Sequence, residues 1–448
     1  MGSVNQITGQ ALRRALALGQ AGTIGEVRWA RLRDRDYESR STGDRLAEHA
    51  EVPGDGRRIV CDCADLEPGV EIARLLLASQ PGPIVEGALI AAFASGSREV
   101  VFYVSEDDES GAQALTAVQN DMASEGVHME VIRRAFRRSM KGYEEVPTLV
   151  LSVETLLNLS KVLQIGADAY RGICSASGPG TKFFQVAGDV LREGIFELPF
   201  GIILGEVVQQ TCGGLRQGKT LKAALVGGVH GVCYRAEELD APLDFDSVRQ
   251  AGGVIGSGSI RVLTETDCVV DHVRRTLAVS CYETCAACSL GREGAYQLRE
   301  IVSDATKGKS KGSDLDLLRE IGRGMQAGAA CVSGSTAANL VLSSLDKFPE
   351  EYEAHMKRKA CRALVCASYV TFHVSPAQCD GCGECREACP EDAIEGGSEK
   401  IHVIDEDSCT KCGRCWEVCN GLRQAVVKAG PIKPRTPKTS IPVGSWNG

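Results

Sequence analysis

Cys379-Asp380-Gly381-Cys382-Gly383-Glu384-Cys385-Arg386-Glu387-Ala388-Cys389-Pro390 is followed by Cys409-Thr410-Lys411-Cys412-Gly413-Arg414-Cys415-Trp416-Glu417-Val418-Cys419-Asn420. Both runs space their thiols as C-x2-C-x2-C-x3-C, so the second repeats the first. Three closely spaced thiolates wrap one face of an iron–sulfur cubane, and the fourth ligand has to come from outside that turn. In a duplicated run the other run supplies it. Cys379, Cys382, Cys385 and Cys419 are therefore assigned to one [4Fe–4S] cluster, and Cys409, Cys412, Cys415 and Cys389 to a second. A pair of zinc knuckles is the competing reading, but zinc sites need no duplicated three-plus-one spacing. Asn420 stands where the first run has Pro390, which touches the turn and not the ligand set.

This is the spacing of bacterial two-cluster ferredoxins, so the stretch is expected to fold as such a domain and to move single electrons. The rest of the chain is ordinary globular material: 448 residues, 43% apolar, enough for several cores. Asp and Glu number 59 against 50 Lys and Arg, a net charge of −9 that argues against a sequence-independent grip on nucleic acid. The 20 cysteines sit largely in C-x-x-C groups, which reads as metal ligation in a reducing compartment, and a cytoplasmic location is expected. No apolar run approaches the ~20 residues of a membrane helix; the best, Phe200 to Val208, is short and carries Glu206.

Upstream, the texture alternates between strand and helix. Arg58 to Cys61, Val100 to Val104 and Thr148 to Leu151 read as strands; Glu71 to Ala78, Ile84 to Ala94, Ala112 to Ala123 and Glu154 to Leu163 read as helices. Residues 1–56 carry a short helical pattern that ends near Gly19 and Gly22 and are expected to be weakly structured alone. Cys174 to Gly180 marks a boundary. Lys182 to Val186, Gly194 to Glu197 and Leu221 to Val226 are strands around a helix at Ile203 to Gln210, and 270–350 are helical. The expected fold is α/β in four parts: a layered α/β domain at 57–178, a β-grasp-like domain at 179–265, a helical cluster-binding domain at 266–373 and the bacterial-type ferredoxin domain at 374–428. A Pro-rich extended tail, 429–448, is expected to be disordered or to lie on a partner.

A second cysteine group lies at Cys281, Cys285 and Cys288, with Cys331 much later. Here Glu283-Thr284-Cys285-Ala286-Ala287-Cys288-Ser289-Leu290-Gly291-Arg292-Glu293-Gly294 resembles the cluster loop E-S-C-x-x-C-x-x-C-R-E-G of the NADH-binding flavoprotein subunit of respiratory complex I and its relatives in bifurcating hydrogenases. The resemblance covers roughly residues 57–430, including Gly180-Thr181-Lys182-Phe183-Phe184, Leu239-Asp240-Ala241-Pro242 and Gly256-Ser257-Gly258. It implies a [4Fe–4S] cluster on Cys285, Cys288 and Cys331. Gly291 replaces the family's third cysteine, and Cys281 is the substitute. A three-iron cluster, or buried inert thiols, are the alternatives.

Other departures concern the flavin and nicotinamide. The family's L-R-G-R-G-G-A-G-F-P-T-G loop uses glycines so that backbone amides can approach the cofactor. The matching stretch is Leu32-Arg33-Asp34-Arg35-Asp36-Tyr37-Glu38-Ser39-Arg40-Ser41-Thr42-Gly43, where Asp34, Asp36 and Glu38 would repel a phosphate. The family's N-A-D-E-x-E-P-G loop has become Asp62-Cys63-Ala64-Asp65-Leu66-Glu67-Pro68-Gly69. Its G-A-G-A-Y-I-C-G-E-E-T-A-L segment has no counterpart between Val131 and Thr148. Conventional FMN and NADH binding is not expected, and Glu67-Pro68-Gly69 and Val153-Glu154-Thr155 read as scaffold.

Finally, His355, Cys361 and Cys366 fall at a joint where relatives carry a cysteine pair associated with zinc; with a fourth ligand such as Cys268 they form a structural zinc set, buried free cysteines being the alternative. The expected function is a cytoplasmic electron relay within a hetero-oligomeric redox complex, carrying three [4Fe–4S] clusters and working with flavin- or NAD(P)H-binding and catalytic subunits. The alternative is an active NADH:acceptor oxidoreductase that holds FMN by a rearranged loop.

Overall fold

The computed structural model describes residues 9–54, 56–65, 67, 69–122, 126–134, 146–173, 178–283, 288–421 and 423–446, without the side chains of 282 and 283. The chain divides into two compact units. One is Met1–Thr264 with Thr276–Tyr296 and Ile321–Ser343; the other is Glu265–Arg275 with Gln297–Glu320 and Ser344–Gly448.

The first unit contains a parallel sheet of β1 (Arg58–Asp62), β2 (Glu99–Ser105), β3 (His128–Arg134) and β4 (Thr148–Ser152), in the order β3-β2-β1-β4. β1 and β2 lie in the middle and read as near-continuous apolar runs, as strands covered on both faces do. β3 is the strand that sequence reasoning passed over. It lies at the edge, its burial is patchy, and it carries Glu130, Arg133 and Arg134.

Around the sheet lie α1 (Gln10–Trp29), α2 (Thr42–Glu51), α3 (Ile72–Ser79), α4 (Pro81–Ser95), α5 (Glu109–Asp121) and α6 (Val153–Ile165). The N-terminal segment is not the weak appendage expected. α1 continues through a break at Gly19 (φ 73°), across which the Thr23 hydroxyl donates to the Ala15 carbonyl at 3.0 Å. Its Ala11, Ala15 and Val27 are fully buried in the same core as α4 and α6. Tertiary burial on both sides of the glycine overrides its helix-breaking tendency. α4 is apolar all round because it is covered all round. α3 and α4 meet at a 97° bend, and no single helix among the described residues is long and apolar enough to cross a membrane.

A second sheet in this unit is mixed: β5 (Thr181–Gly188), β6 (Gly194–Pro199), β7 (Leu221–Val226), β8 (Val232–Arg235) and β9 (Ser259–Thr264), in the order β6-β5-β9-β7-β8, with β5 and β9 parallel. The helix expected at Ile203 to Gln210 is a single turn, Leu204–Glu206, running into a π-turn at Val207–Thr211. The apolar spacing over 270–350 is realised as helices, among them Val269–Glu283, Ser289–Thr306 and Asp314–Gly328.

In the second unit β10 (Thr371–Val374) pairs antiparallel with β13 (Val426–Ala429), and β11 (Ile394–Glu395) with β12 (Val403–Ile404). The Pro-rich tail lies on its own chain. The Ile401 amide donates to the Ile441 carbonyl at 2.8 Å and the Val443 amide to the Glu399 carbonyl at 2.9 Å, while Ile441 and Trp446 pack on the core between these short strands. A tail with an apolar residue at each anchoring point can recover the ordering cost that composition alone suggested it could not.

The tightest helix crossing is α4 on α6: a Cβ at Gly87 would stand 2.1 Å from the Leu156 carbonyl oxygen, which is backbone and cannot turn aside. Gly87→Ala is expected to cost about 1–3 kcal/mol. Gly324→Ala, at a helical position where a Cβ meets nothing, is expected to gain up to about 1 kcal/mol. Urea midpoints of the two variants followed by far-UV circular dichroism check the opposite signs.

Candidate metal centres

After the second thiol of each run the chain makes a left-handed turn that swings the third thiol inward. Gly383 (φ 87°) and Gly413 (φ 82°) cap the short helices Glu384–Glu387 and Arg414–Asn420. One residue before the second thiol the repeat differs. Gly381 (φ 77°) has Lys400 so close that a Cβ would lie 2.7 Å from its amide, whereas Lys411 holds φ 60° with a full side chain. A lysine in that conformation is strained. The turn aims its amide at the Cys409 sulfur, 3.4 Å away.

One cavity is lined by Cys379, Cys382, Cys385 and Cys419 together, with Val374, Ala425 and Val426 behind them. The cavity brings the first three thiols of one run beside the last thiol of the other. Burial first, then Cys379, Cys419 and Cys382, push the Cys385 thiol to about 12. Burial, then Cys409, Cys412 and Cys389 among the neighbouring groups, push Cys415 to about 11. Each run's third thiol thus sits among its own run and the last thiol of the other. Cys419 accepts two amides, Ala425 at 3.2 Å and Val426 at 3.3 Å. Cys382 and Cys412 are exposed, and the remaining thiols of both sets are buried or half-buried. Preformed dry pockets of thiols with amides aimed at sulfur fit cubanes held by thiolates.

In the second unit a separate group forms around Cys268, His355, Cys361 and Cys366. All four are buried, and their ligand atoms lie within 4.8 Å of one another. His355 Nε2 is 3.4 Å from both Cys268 Sγ and Cys366 Sγ, and Nδ1 is bonded to the Glu351 carbonyl at 2.7 Å. That outer bond fixes the tautomer that offers Nε2 inward. Hydrogen bonds with Cys361 and Cys366 hold the Cys268 proton far above its usual range, and Cys361 is driven down by its bonds to Cys268 and Cys366. The Cys3His donors suit tetrahedral zinc.

The middle group is brought together in part. Cys288 Sγ accepts the Gly291 amide at 3.3 Å and the Ala330 amide at 3.5 Å, and these bonds lower its pKa. Cys331 caps the helix Val332–Thr336 and accepts the Gly334 amide at 3.3 Å. A Cβ at Gly291 would point at Cys288 Sγ, 3.1 Å away, and lie 3.5 Å from Gly334. Cys281 lies in the helix Val269–Glu283, and Cys285 lies outside the described residues.

The loop at 32–43 is packed upon itself, and its acids do not face a ligand as expected. Asp34 is fully buried with Arg45 and Thr42; burial first, against the pull of Arg45, raises its pKa to about 6. Asp36 caps the amides of Glu38 and Ser39 at 2.9 and 2.8 Å. Arg35 is 2% exposed, donates to the carbonyls of Arg33, Thr181 and Pro179 and to the Tyr170 hydroxyl, and stacks over Phe200 with 4.4 Å to the ring centre. Tyr37 packs edge-on against His230 with 4.2 Å between ring centres, and a Cβ at Gly256 would meet its ring at 2.8 Å. Sequence reasoning missed Arg35 and Tyr37 as fillers, because the arginine matches the family pattern and the tyrosine carries no motif.

The scaffold residues hold this arrangement. The Glu67 carboxylate accepts Ser257 Oγ at 2.7 Å, and a Cβ on Gly228 would collide with it. Glu154 pairs with the fully buried Lys182 at 2.7 Å and accepts the Phe183 amide. Beside them a cleft of about 320 Å³ is lined by Asp65, Glu67, Glu71, Asp107, Asp108, Arg74 and Cys63. Five carboxylates against one guanidinium oppose a phosphate.

Two family models match: the NADH-ubiquinone oxidoreductase-F iron-sulfur binding region over residues 271–355, and the 4Fe-4S dicluster domain over 378–420. The chain is 31% identical to NADP-reducing hydrogenase subunit HndC of Solidesulfovibrio fructosivorans, covering 88% of each chain. It is 28% identical to the F subunit of NADH-quinone oxidoreductase of Aquifex aeolicus, covering 79% of this chain and 91% of that one, and 27% identical to that of Escherichia coli, covering 78% and 88%. Its fold is similar to a chain of an NAD+-reducing [NiFe]-hydrogenase, with a TM-score of 0.68 at 24% identity; the match covers 78% of this chain and spans 64% of the solved one.

Asp65 provides a pH test of the acidic cleft. Burial, against the Ala73 and Arg74 amides that it accepts, raises its pKa from 3.8 to about 6. A raised folded pKa means stability is fully present below the unfolded value and is lost as pH rises through about 6. Asp65→Asn keeps the acceptor and loses the charge. Relative to wild type it is expected to gain about 1–2 kcal/mol between pH 4 and pH 7, after discounting for solvent screening. Urea unfolding at both values reads it; equal slopes of stability against pH in the two proteins would exclude the effect.

Proposed function

Because the chain belongs to the family of the NADH-quinone oxidoreductase F subunit and hydrogenase subunit HndC, whose members are subunits of multi-subunit redox complexes, we propose that it is an iron–sulfur relay in which the flavin and nicotinamide site has been lost. The observation that carries this reading is the filled loop at 32–43. Tyr37 stands against Gly256, Asp36 accepts the amides of Glu38 and Ser39, and Asp34 is spent on Arg45, each at a place where the family pattern has the glycine that permits close backbone approach.

We assign one [4Fe–4S] cluster to Cys379, Cys382, Cys385 and Cys419, a second to Cys409, Cys412, Cys415 and Cys389, and a third to Cys281, Cys285, Cys288 and Cys331. Zinc is assigned to Cys268, His355, Cys361 and Cys366. The proposed layout is a degenerate flavoprotein-like domain over 57–178, a β-grasp-like domain over 179–265, a helical cluster domain over 266–373 and the ferredoxin domain over 374–428.

When bound, the clusters supply one-electron carriers. The chain's own residues do the rest. Buried Cys379, Cys385, Cys415 and Cys419 keep water from the sulfur, and amide donors to Cys288, Cys331 and Cys419 favour added negative charge. Exposed Cys382 and Cys412 bring the sulfur edge to the surface, where a partner can approach. Partner subunits hold the flavin, nicotinamide or substrate.

Anaerobically purified protein is expected to carry about 12 iron per chain, three cubanes of four, with about one zinc and no acid-released flavin. FMN near one per chain would defeat the relay reading and favour an NADH oxidoreductase with a rearranged loop. The crossed ligand sets make a second prediction. Cys419→Ser combined with Cys379→Ser is expected to lose about 4 iron, and Cys419→Ser combined with Cys409→Ser about 8. The reverse order would uncross the assignment.

A further inference from the structure

The cavity of the first ferredoxin-type thiol set has one histidine in its lining, His402. It is 1% exposed, its Nδ1 lies 3.8 Å from Cys379 Sγ, and its Nε2 is buried with no hydrogen-bond partner. Buried polar side-chain atoms nearly always have partners. A dry imidazole with one nitrogen at a thiol and the other unanswered is a costly choice where an apolar ring would pack as well.

The ring is held in place from two sides. A Cβ at position 396 would stand 2.4 Å from Cδ2 and 2.9 Å from Nε2, so the Gly396 backbone closes one face. The preceding residues are strapped by the tail through Glu399 with Val443 and Ile401 with Ile441. The charged side chains lining the cavity are Asp380 and Glu384, both paired with Arg423, two carboxylates against one guanidinium. Their net negative charge opposes added charge on the cluster, and a donor to sulfur acts the other way.

Resting on the ligand assignment above, we propose that His402 is a positioning residue that sets the reduction potential of the first cluster by donating Nδ1–H to the Cys379 thiolate. Reduction adds one negative charge that is shared with the thiolate sulfurs. A hydrogen bond to such a sulfur strengthens as that charge arrives, so it favours the reduced form and raises the potential. No proton is transferred; the imidazole keeps its N–H in both states. The nitrogen that carries the proton follows from this role, because only Nδ1 faces a thiol. In the repeat the donors differ in kind: the second set has the Lys411 amide at Cys409, and the first has an imidazole as well as the Ala425 and Val426 amides at Cys419.

The test uses the full chain with its clusters loaded, iron counted first, and potentials read by redox titration followed by electron paramagnetic resonance. His402→Phe keeps a ring and removes the donor; His402→Asn keeps an N–H near the place of Nδ1. At wild-type iron content, His402→Phe is expected to lower the potential of one ferredoxin-type cluster and leave the other unchanged, and His402→Asn to recover much of the shift. Unchanged potentials in His402→Phe, or no recovery in His402→Asn, would make His402 a packing residue and overturn the proposal. If His402→Phe loses iron, wild-type protein labelled with 15N-histidine decides. A hyperfine coupling from an imidazole nitrogen to a reduced cluster signal supports the hydrogen bond, and its absence overturns it. Retention of all iron in Cys379→Ser would instead sink the ligand assignment, which is a separate failure.

Discussion

Sulfur gathered in the dry interior is the constraint on which this protein is built. A thiolate away from water is costly, and several within a few ångströms of one another cannot all ionise unless a cation lies among them. Cys385 and Cys415 are pushed up to about 12 and about 11 by burial and by neighbouring thiols, and the Cys268 thiol is raised by its hydrogen bonds with Cys361 and Cys366. Pockets of this kind are stabilised by taking up metal with release of protons, which couples metal binding to folding. That dependence accounts for the local backbone. Gly383 and Gly413 take conformations that L side chains avoid, and Lys411 takes one at a cost, because each turn must present its thiol and aim amides at sulfur.

The loop at 32–43 obeys the opposite logic. A site that receives a nucleotide leaves amides and cationic groups unspent until the ligand arrives. Here three of the loop's strong groups are already spent. Arg35 gives its donors to three carbonyls and a tyrosine, Asp36 caps two amides, and Asp34 is neutralised by Arg45. Satisfied internal networks rigidify what they join. The Glu67–Ser257 and Glu154–Lys182 bonds serve the same end, tying the parallel-sheet layer to the mixed sheet within the first unit. This inward use of the loop's polar groups is what the proposed loss of the flavin site rests on.

Much of this was legible in the sequence, and the reason is periodicity. Ligand spacing along a chain is a direct geometric statement, and the crossed thiol sets were assigned from it; the gathering of Cys268, His355, Cys361 and Cys366 was expected from the family resemblance, since Cys268 is too far along the chain for spacing to reveal it. The central strands β1 and β2 and helices α4 and α6 were legible for the same reason, their apolar runs being long and regular. What escaped was settled by tertiary context. β3 is an amphiphilic edge, α1 survives Gly19 because both of its halves are buried, and the tail is anchored by Ile441 and Trp446, two residues too sparse to register as a pattern. The acids of the loop were seen as charges, but a charge's effect depends on its partner. Asp34 faces Arg45, and sequence spacing does not reveal that.

The tail, the loop it straps and the first thiol pocket form one mechanical chain. Ile441 and Val443 hold 399–401, Lys400 lies against the Gly381 turn that presents Cys382, and His402 follows with its ring on Cys379. A relay needs its carriers to keep the same surroundings in both charge states, since any group that rearranges on reduction adds to the barrier. Backbone pairing from a segment outside the ferredoxin repeat supplies that stiffness without placing new charge near the sulfur. On the proposed relay reading, the exposed Cys382 beside this loop is where an electron would enter or leave.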